Sequence, residues 1–465
     1  MRSLIYKNLV SLSCIFILTA CSSNAVRYPV AYSAPIIETD DRYQYADLNW
    51  TATSVIKISA EQWWHIYQDP ILSQLIQQLN QENLTLQQAE ARYQQAQALL
   101  DIQRAHRFPN ITVNTAANRN GAKHSSINNQ FGSAIQASWI PDLWGRVAKA
   151  IEGQQANLAA NHADLDAVKL NQQLLAIEAY WNIRVLDAQF DLLQHTENSY
   201  LRFVQILNNQ YTAGMIARAD VIQAEAQLKQ VQIQLVESVR ARNLQQNILA
   251  VLQGKSVAQF QLVKQKQTFI VPYVPTQLPS RLLIQRPDVI RAERELAITH
   301  AELGLAQTAW LPDVTIGLNG SLNSQILSTL FQSPQYLWST GLQAVALVFD
   351  GGKRRAEVAQ AQASYAEKLA AYKQSILIGW KDVEDALLQV ASFQQQHTEQ
   401  EKLFALAIEN EQVANQRYQA GLVTYLEVVT AQNLRLQVEQ DQLQLKLSQL
   451  KNTAQLIAAL GGKVK

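Results

Sequence analysis

The sequence predicts a mainly α-helical fold with a smaller β portion, in which one helix, one strand pair and one long helical hairpin occur twice. Proline is absent between Pro141 and Pro272 and again after Pro334, and both tracts are rich in Ala, Gln, Leu and Glu, which favour helices. Matching turns in the two tracts, at Gly214 and Gly421, lie 207 residues apart. A period of this length indicates a duplicated half rather than a short solenoid repeat.

The two proline-free tracts predict unusually long helices. A helix from Leu143 to Gln210 would be roughly 100 Å long at 1.5 Å per residue, and such helices pack side by side as a coiled coil or tube. Asn433 and Gln440 interrupt an otherwise apolar heptad seam in the second tract, as expected for a helix that has two neighbours or faces water. The seam comprises Val429, Asn433, Leu436, Gln440, Leu443, Leu447, Leu450, Ala454 and Ile457.

One glycine turn divides each tract. Gly214 follows Tyr211 by three residues in the first tract, and Gly421 follows Tyr418 in the same way. A glycine there adopts the left-handed conformation that ends one helix and lets the next run back antiparallel. The predicted hairpins are 143–253 and 352–460, within repeats that span 61–271 and 272–465.

A strand pair separates the helices in each repeat. Each strand is about ten residues or a little longer, the length that crosses an outer membrane when tilted. A soluble sheet would have a similar sequence, so the strands alone do not decide between these alternatives. Four strands cannot close a membrane barrel, so a membrane location would require several chains to share one. The predicted strands are 111–120 and 131–140 (the pair 111–140), and 314–323 and 337–349 (the pair 314–349).

The N-terminus predicts export and lipidation. A basic start and an apolar run precede the small residues before Cys21, so residues 1–20 are interpreted as a lipoprotein signal peptide. Cleavage would leave Cys21 as an acylated N-terminus, followed by a lipidated extension over 21–60. Ser22 after the cysteine favours release to the outer membrane. The alternative is an ordinary signal peptide with a chance cysteine.

Composition points away from enzymes and nucleic-acid binding. The chain has 39 basic and 38 acidic residues, and loss of the signal peptide removes Arg2 and Lys7. The mature chain therefore has a charge near zero and no basic patch for nucleic acid. The seven histidines are scattered without metal-ligand spacing, and no nucleophile motif is present. We expect no catalytic site, no metal site and no cofactor.

Five motifs are spread over nearly the whole mature chain. They are Trp63-Trp64-His65-Ile66-Tyr67-Gln68-Asp69-Pro70, Pro141-Asp142-Leu143-Trp144-Gly145-Arg146, Gln285-Arg286-Pro287-Asp288-Val289, Phe349-Asp350-Gly351-Gly352-Lys353-Arg354 and Leu460-Gly461-Gly462. Singly these motifs are weak, but their order together with the duplication is highly specific. Together they resemble the TolC-like outer-membrane factors, in the lipoprotein branch that includes OprM.

The resemblance implies a homotrimer in the cell outer membrane. Three chains would form a twelve-stranded β-barrel, with an α-helical barrel below it in the periplasm. The implied function is a passive exit duct for drugs or small amphiphiles, which works with a periplasmic membrane-fusion adaptor and an inner-membrane transporter. A type I protein-secretion duct of the same family is one alternative. A lipid-anchored structural coiled-coil protein of the periplasm is another.

The resemblance also assigns roles to the turns. The turns at Tyr211 and Gly214 and at Tyr418 and Gly421 would receive the adaptor. Packing against a neighbouring helix is the alternative role for Tyr418.

The same turns would close the duct at rest. The implied gate consists of Tyr418, of Glu427 six residues after the second glycine, and of Asp220 at the equivalent place in the first repeat. A family relative has a second ring of aspartates, which would correspond to Thr430 in this sequence. This chain therefore departs from that relative's pattern. The alternative role for both acids is a solvated charge in the first turn of a helix.

Replacing Cys21 with serine should abolish acyl labelling and change membrane attachment, while folding persists because no disulfide depends on Cys21. Metabolic labelling with palmitate and membrane fractionation measure both effects. Acyl label that persists in Cys21→Ser would refute the lipidation site.

Overall fold

The structure is a computed structural model, and the predicted lipidation site Cys21 lies outside the residues that it describes, as do the predicted signal peptide and nearly all of the predicted extension over 21–60. The described residues are 32–35, 43–44, 62–121, 123, 127–265, 269–272, 280–332 and 336–462.

Both halves contain the predicted order of helix, strand pair and helical hairpin. The first half consists of a 3-10 helix (Trp63–Tyr67), α1 (Pro70–Glu82), α2 (Leu84–Ala105), β1 (Asn110–Asn120), β2 (Asn128–Trp139), α3 (Arg146–Thr212), α4 (Arg218–Leu252) and a 3-10 turn (Val257–Gln259). The second half consists of a 3-10 helix (Ser280–Gln285), α5 (Pro287–Thr308), β3 (Asp313–Ser324), a 3-10 turn (Leu327–Thr329), β4 (Tyr336–Val345), α6 (Lys353–Gln419) and α7 (Tyr425–Ala459).

The first half opens with two helices where one was predicted. Asn83 separates them, because its extended backbone ends α1 and its side-chain oxygen accepts from Leu86 N at 2.9 Å to begin α2. Its amide also donates to the Leu252 carbonyl at 2.8 Å, which ties the junction to the end of α4. The duplication is therefore less regular at its start than the sequence suggested.

The four strands form one antiparallel sheet in the order β1-β2-β3-β4. The prediction of a strand over 337–349 is wrong at its end, because β4 stops at Val345. Val345 lies opposite Asp313, the first residue of β3. Pro312 before it has no N–H with which to extend the ladder. β2 in turn begins at Asn128, earlier than predicted.

The strand register separates an apolar face from a polar face. Residues directly opposite each other share a face, and faces alternate along each strand. The polar face also carries two larger apolar residues, Leu337 and Val345, which lie near the two ends of β4. The apolar face carries Ile111, Val113, Ala117, Phe131, Ile135, Ala137, Trp139, Val314, Ile316, Leu318, Leu322, Tyr336, Trp338 and Leu342; the polar face carries Thr112, Asn114, Asn118, Gln136, Ser138, Thr315, Asn319, Ser321, Asn323, Ser339 and Gln343.

The chain divides into two compact units, and each contains segments of both halves. The first unit contains the sheet, within 97–158 and 293–370. The second contains the described residues of 37–96 with 159–292 and 371–465. Within the described residues, no helix is long and apolar enough to cross a membrane.

Two aspartates, one before each long helix, cap free backbone amides. Asp142 accepts from Val147 N at 3.0 Å and Ala148 N at 2.8 Å. Asp350 accepts from Gly352 N at 2.9 Å. The Arg354 guanidinium bonds the same carboxylate and lowers the pKa of Asp350 to about 2. Both contacts are those of helix caps.

The core of the second unit is built around the N-terminal tryptophan segment. Trp63 and Trp64 are almost fully buried, and Tyr67 donates to the Leu450 carbonyl of α7 at 2.8 Å. Asp69 caps α1 by accepting from the amides of residues 71 and 72, and it also accepts from the Tyr180 hydroxyl at 2.6 Å. One buried carboxylate thus starts α1 and joins it to α3.

Asp69→Ala should lower the free energy of unfolding by about 1–3 kcal/mol, because it removes a helix cap and leaves the Tyr180 hydroxyl without its acceptor. Asp69→Asn retains an acceptor for the cap and should cost less. Thermal unfolding in detergent, followed by circular dichroism, compares the two variants. Equal midpoints for both variants would contradict the capping role.

Candidate functional site

The first helical tip, residues 210–217, is a tight turn closed by backbone hydrogen bonds. Gly214 has φ +71° and donates to the Tyr211 carbonyl at 2.9 Å. Met215 donates to the Gln210 carbonyl at 2.8 Å. This pair of bonds is the Schellman motif, which satisfies the last carbonyls of a helix and turns the chain back.

The second helical tip, residues 417–424, has the same geometry. Gly421 also has φ +71° and donates to the Tyr418 carbonyl at 2.9 Å. Leu422 donates to the Arg417 carbonyl at 2.9 Å. A Cβ added at either tip glycine would meet no atom within 4 Å, so the backbone conformation alone demands glycine. The predicted left-handed turns are confirmed.

Tyr418 joins the two tips. Its hydroxyl donates to Gln210 Oε1 at 3.4 Å, and its ring lies 6.2 Å from Phe203 and 5.9 Å from Tyr425. Burial, and next the carboxylate of Asp220, raise the pKa of the Tyr418 hydroxyl. Tyr418 therefore contacts the other hairpin of its own chain. Packing against a neighbouring helix was the alternative role for Tyr418 in the sequence analysis.

The two acids of the predicted gate have different surroundings. Glu427 forms an ion pair with Arg417, Nη1 to Oε2 at 3.2 Å, and both side chains are about half exposed. Asp220 lies in the equivalent first turn of α4, and its carboxylate contributes to the raised pKa of the Tyr418 hydroxyl. The charge of Asp220 thus acts on Tyr418, whereas Glu427 contacts the end of α6.

The first tip replaces this ion pair with a different one. Gln210 occupies the position equivalent to Arg417 and accepts from the tyrosine instead. Arg218 lies over the ring of Tyr211 at 5.7 Å and reaches Glu225 at 3.7 Å. Charges at the two tips are therefore arranged differently on nearly identical backbones.

The polar residues of the predicted heptad seam pair with glutamines of the other hairpin that lie 206 residues earlier in the chain. Asn433 Nδ2 donates to Gln227 Oε1 at 3.2 Å, and Gln440 Nε2 donates to Gln234 Oε1 at 3.4 Å. Asn433 also accepts from the Tyr200 hydroxyl at 3.1 Å. These residues interrupt the apolar seam because they bond across the two hairpins.

Sequence reasoning missed Arg417, Gln210 and Phe203. The sequence did contain a signal for Gln210 and Arg417. When the two repeats are aligned with an offset of 207 residues, these two residues occupy the same position, and the charge changes beside a turn that both repeats share. Phe203 carried no such signal. In the part of the chain that the structure describes, no three His, Cys, Asp or Glu side chains cluster to hold a metal ion.

Comparison with known proteins decides the family. The sequence model of the family described as outer membrane efflux protein matches residues 75–255 and 278–462, well over half of the chain. The chain belongs to this outer membrane efflux protein family. It is therefore an efflux protein of the outer membrane, as the sequence motifs predicted.

Curated relatives and a solved structure agree with this assignment. The pyoverdine export outer membrane protein OpmQ of Pseudomonas putida is 29% identical over 427 residues, which cover 89% of this chain and 90% of the relative. The probable outer membrane lipoprotein SilC of Salmonella typhimurium is 25% identical over 98% of both chains. The CmeC outer membrane channel of Campylobacter jejuni has the same fold, with a TM-score of 0.86 at 20% identity over 94% of this chain and 95% of that one.

Gly214→Ala should destabilise the protein by about 1–2 kcal/mol, because alanine is disfavoured in the left-handed conformation although its methyl group has room. Gly214→Asn is the matched control, because asparagine tolerates this conformation better. Thermal unfolding in detergent measures both. A wild-type midpoint for Gly214→Ala would show that the turn changes conformation at no cost.

Proposed function

We propose that three copies of this chain form one passive exit duct, with the sheets of the three chains sharing a single barrel in the outer membrane. The observation that carries the proposal is the two-faced sheet. One face of the four strands carries most of the sheet's larger apolar side chains, many of them exposed, and the other face is mainly polar. Lipid on one side and water on the other is the environment that such a sheet fits.

The exposure of the apolar face supports a membrane location. Ile135 is 57% exposed, Leu342 72% and Trp338 71%, which is a large apolar surface for a chain in water. The strands are 10–12 residues long, matching the 9–11 residues that a tilted strand needs to span a bilayer. A periplasmic coiled-coil scaffold would have to cover this face with another protein.

Aromatic residues near both ends of the sheet support the same placement. Trp139 and Trp310 lie near the end of the sheet where the long helices begin, and Tyr336 and Trp338 lie near the opposite end. Aromatic residues gather at both membrane interfaces of outer-membrane barrels. The apolar band of the sheet thus has an aromatic border at each end.

Within the duct, transport needs no chemistry from this chain. We propose that it is not an enzyme, and that a periplasmic membrane-fusion adaptor at the tips couples it to an inner-membrane transporter that supplies the energy. One of the relatives named above is a pyoverdine export protein. Drugs or other small amphiphiles are the cargo class proposed here.

The gate is proposed at the two tips. Tyr418 would hold the second hairpin against Gln210 of the first, so that the hairpins stay together at rest. Three copies of Glu427 around a threefold axis would attract cations, and Arg417 would offset part of that charge at 3.2 Å. Opening would separate the hairpins and break the contact between Tyr418 and Gln210.

Changes at the tips should alter conductance in distinguishable ways. In planar bilayers Glu427→Gln should lower cation selectivity and Arg417→Gln should raise it, because the first removes the negative charge and the second its partner. Tyr418→Phe should raise the resting conductance, because it removes the hydroxyl that bonds Gln210. Unchanged selectivity in both charge variants would place the gate elsewhere.

Adjacent residues of β2 test the membrane assignment. Ile135→Arg places a charge on the apolar face and should cost about 2–4 kcal/mol at mid-bilayer, which lowers outer-membrane assembly. Gln136→Arg, one residue further on, points to the polar face and should assemble normally. The yield of heat-modifiable oligomer in outer-membrane fractions measures both. Equal yields would contradict a lipid-facing apolar side.

A further inference from the structure

A cavity of about 470 Å³ lies in the second compact unit, between α3, the start of α5, α6 and the end of α7. The residues that line it all belong to this unit of a single chain. Its volume is within the range of about 300–1,000 Å³ that is typical of small-molecule sites. Leu170 and Leu174 of α3 contribute apolar surface to it, whereas α5, α6 and α7 contribute charged and amide side chains.

The Arg286 guanidinium in the cavity wall has every N–H group engaged. Its Nε and Nη2 donate to the two carboxylate oxygens of Asp288 at 3.0 and 2.8 Å, and Nη2 also donates to Asp382 at 3.1 Å. Its Nη1 donates to the Ala459 carbonyl at 3.0 Å and to the Gly379 carbonyl at 3.4 Å. A guanidinium has five N–H donors, so an anionic ligand would find none free on this arginine.

The charges of the wall leave one negative charge in excess. Three carboxylates line the cavity, those of Asp288, Asp382 and Asp385. Two cations are paired with them, since Arg286 bonds the first two and the largely exposed Lys381 bonds Asp385 at 2.7 Å. The cavity therefore favours a cation.

The helix ends beside the cavity favour the same sign of charge. The α7 helix ends there at Ala459, and the C-terminal end of a helix attracts positive charge. The N-terminal end of α5 would attract an anion, but the Asp288 carboxylate already accepts from Val289 N at 3.0 Å. The chain thus supplies its own anion at α5 and leaves the end of α7 for a cation.

Asn452 offers an acceptor that the described part of the chain does not use. It lines the cavity and is only 2% exposed. Its Nδ2 donates to the Ala386 carbonyl at 3.0 Å, which fixes the orientation of the amide. Among the described residues its Oδ1 has no hydrogen-bond partner. A buried acceptor without a partner is costly, and a ligand that donates an N–H would satisfy it.

We propose that this cavity binds a small organic monocation, an ammonium that donates to Asn452 Oδ1 and lies beside the Asp385 carboxylate, with its apolar part against Leu170 and Leu174. A single positive charge balances the excess charge of the wall. A calcium or magnesium ion takes about six or more oxygen ligands, whereas Arg286 already engages two of the three carboxylates. The site is complete within one chain and does not depend on the proposed duct.

Calorimetric titration of the full-length protein in a nonionic detergent tests the site. The probe is phenethylammonium, and 2-phenylethanol is the matched neutral compound, with the same aromatic body and no charge. Asn452→Leu removes the acceptor at nearly the same volume, and Asp385→Asn removes one charge of the wall but keeps its shape. Asp441→Asn is the matched control, because it removes an exposed charge of α7 from outside the cavity.

We expect saturable binding of phenethylammonium by the wild type and by Asp441→Asn, and binding of 2-phenylethanol that is weaker by about fivefold or more. Asn452→Leu and Asp385→Asn should each lower the affinity for phenethylammonium by about threefold or more. Circular dichroism shows whether Asn452→Leu folds; if it does not, the half-exposed Asp385→Asn decides.

Three results would each overturn the site. They are the absence of saturable phenethylammonium binding, equal binding of 2-phenylethanol, and equal affinities of Asp385→Asn and Asp441→Asn for phenethylammonium. A protein that binds the probe as expected supports the site whatever its number of chains, so this test is separate from the tests of the shared barrel.

Discussion

The constraint on which the rest of the structure depends is a sheet that one chain cannot complete. Within the described residues its four strands have an apolar face, which is unfavourable in water, and two open edges, whose backbone groups need partners in lipid as well. The duplication supplies two equivalent strand hairpins, and a long helical hairpin follows each of them in the chain.

The two tips have equivalent backbone turns but different side-chain contacts. Their hydrogen bonds are nearly the same in both hairpins, yet Gln210 stands where the second tip has Arg417. One tip therefore offers an acceptor to Tyr418, and the other forms an ion pair with Glu427. In the proposed gate, these different contacts would let the two hairpins respond differently on opening.

The sequence was sufficient for the elements, the duplication, the tip turns and the family, because long proline-free tracts and paired glycines act locally. The sequence did not predict the two faces of the sheet. Apolar and polar residues alternate only weakly along each strand, and the apolar side becomes evident only when the register aligns the four strands. Contacts such as Tyr418 to Gln210 join residues 208 apart, which no local pattern encodes. The end of β4 was misjudged because it lies opposite the start of β3, which Pro312 precedes.

The central claim is that three copies close one ring of strands. Native mass spectrometry of the full-length protein, extracted from outer membranes in mild detergent, measures this most directly. The account predicts a complex of three chains, each close to the 52.2 kDa of the full sequence less its signal peptide and plus its lipid. A stable single chain that retains its β-structure and its efflux activity would contradict it.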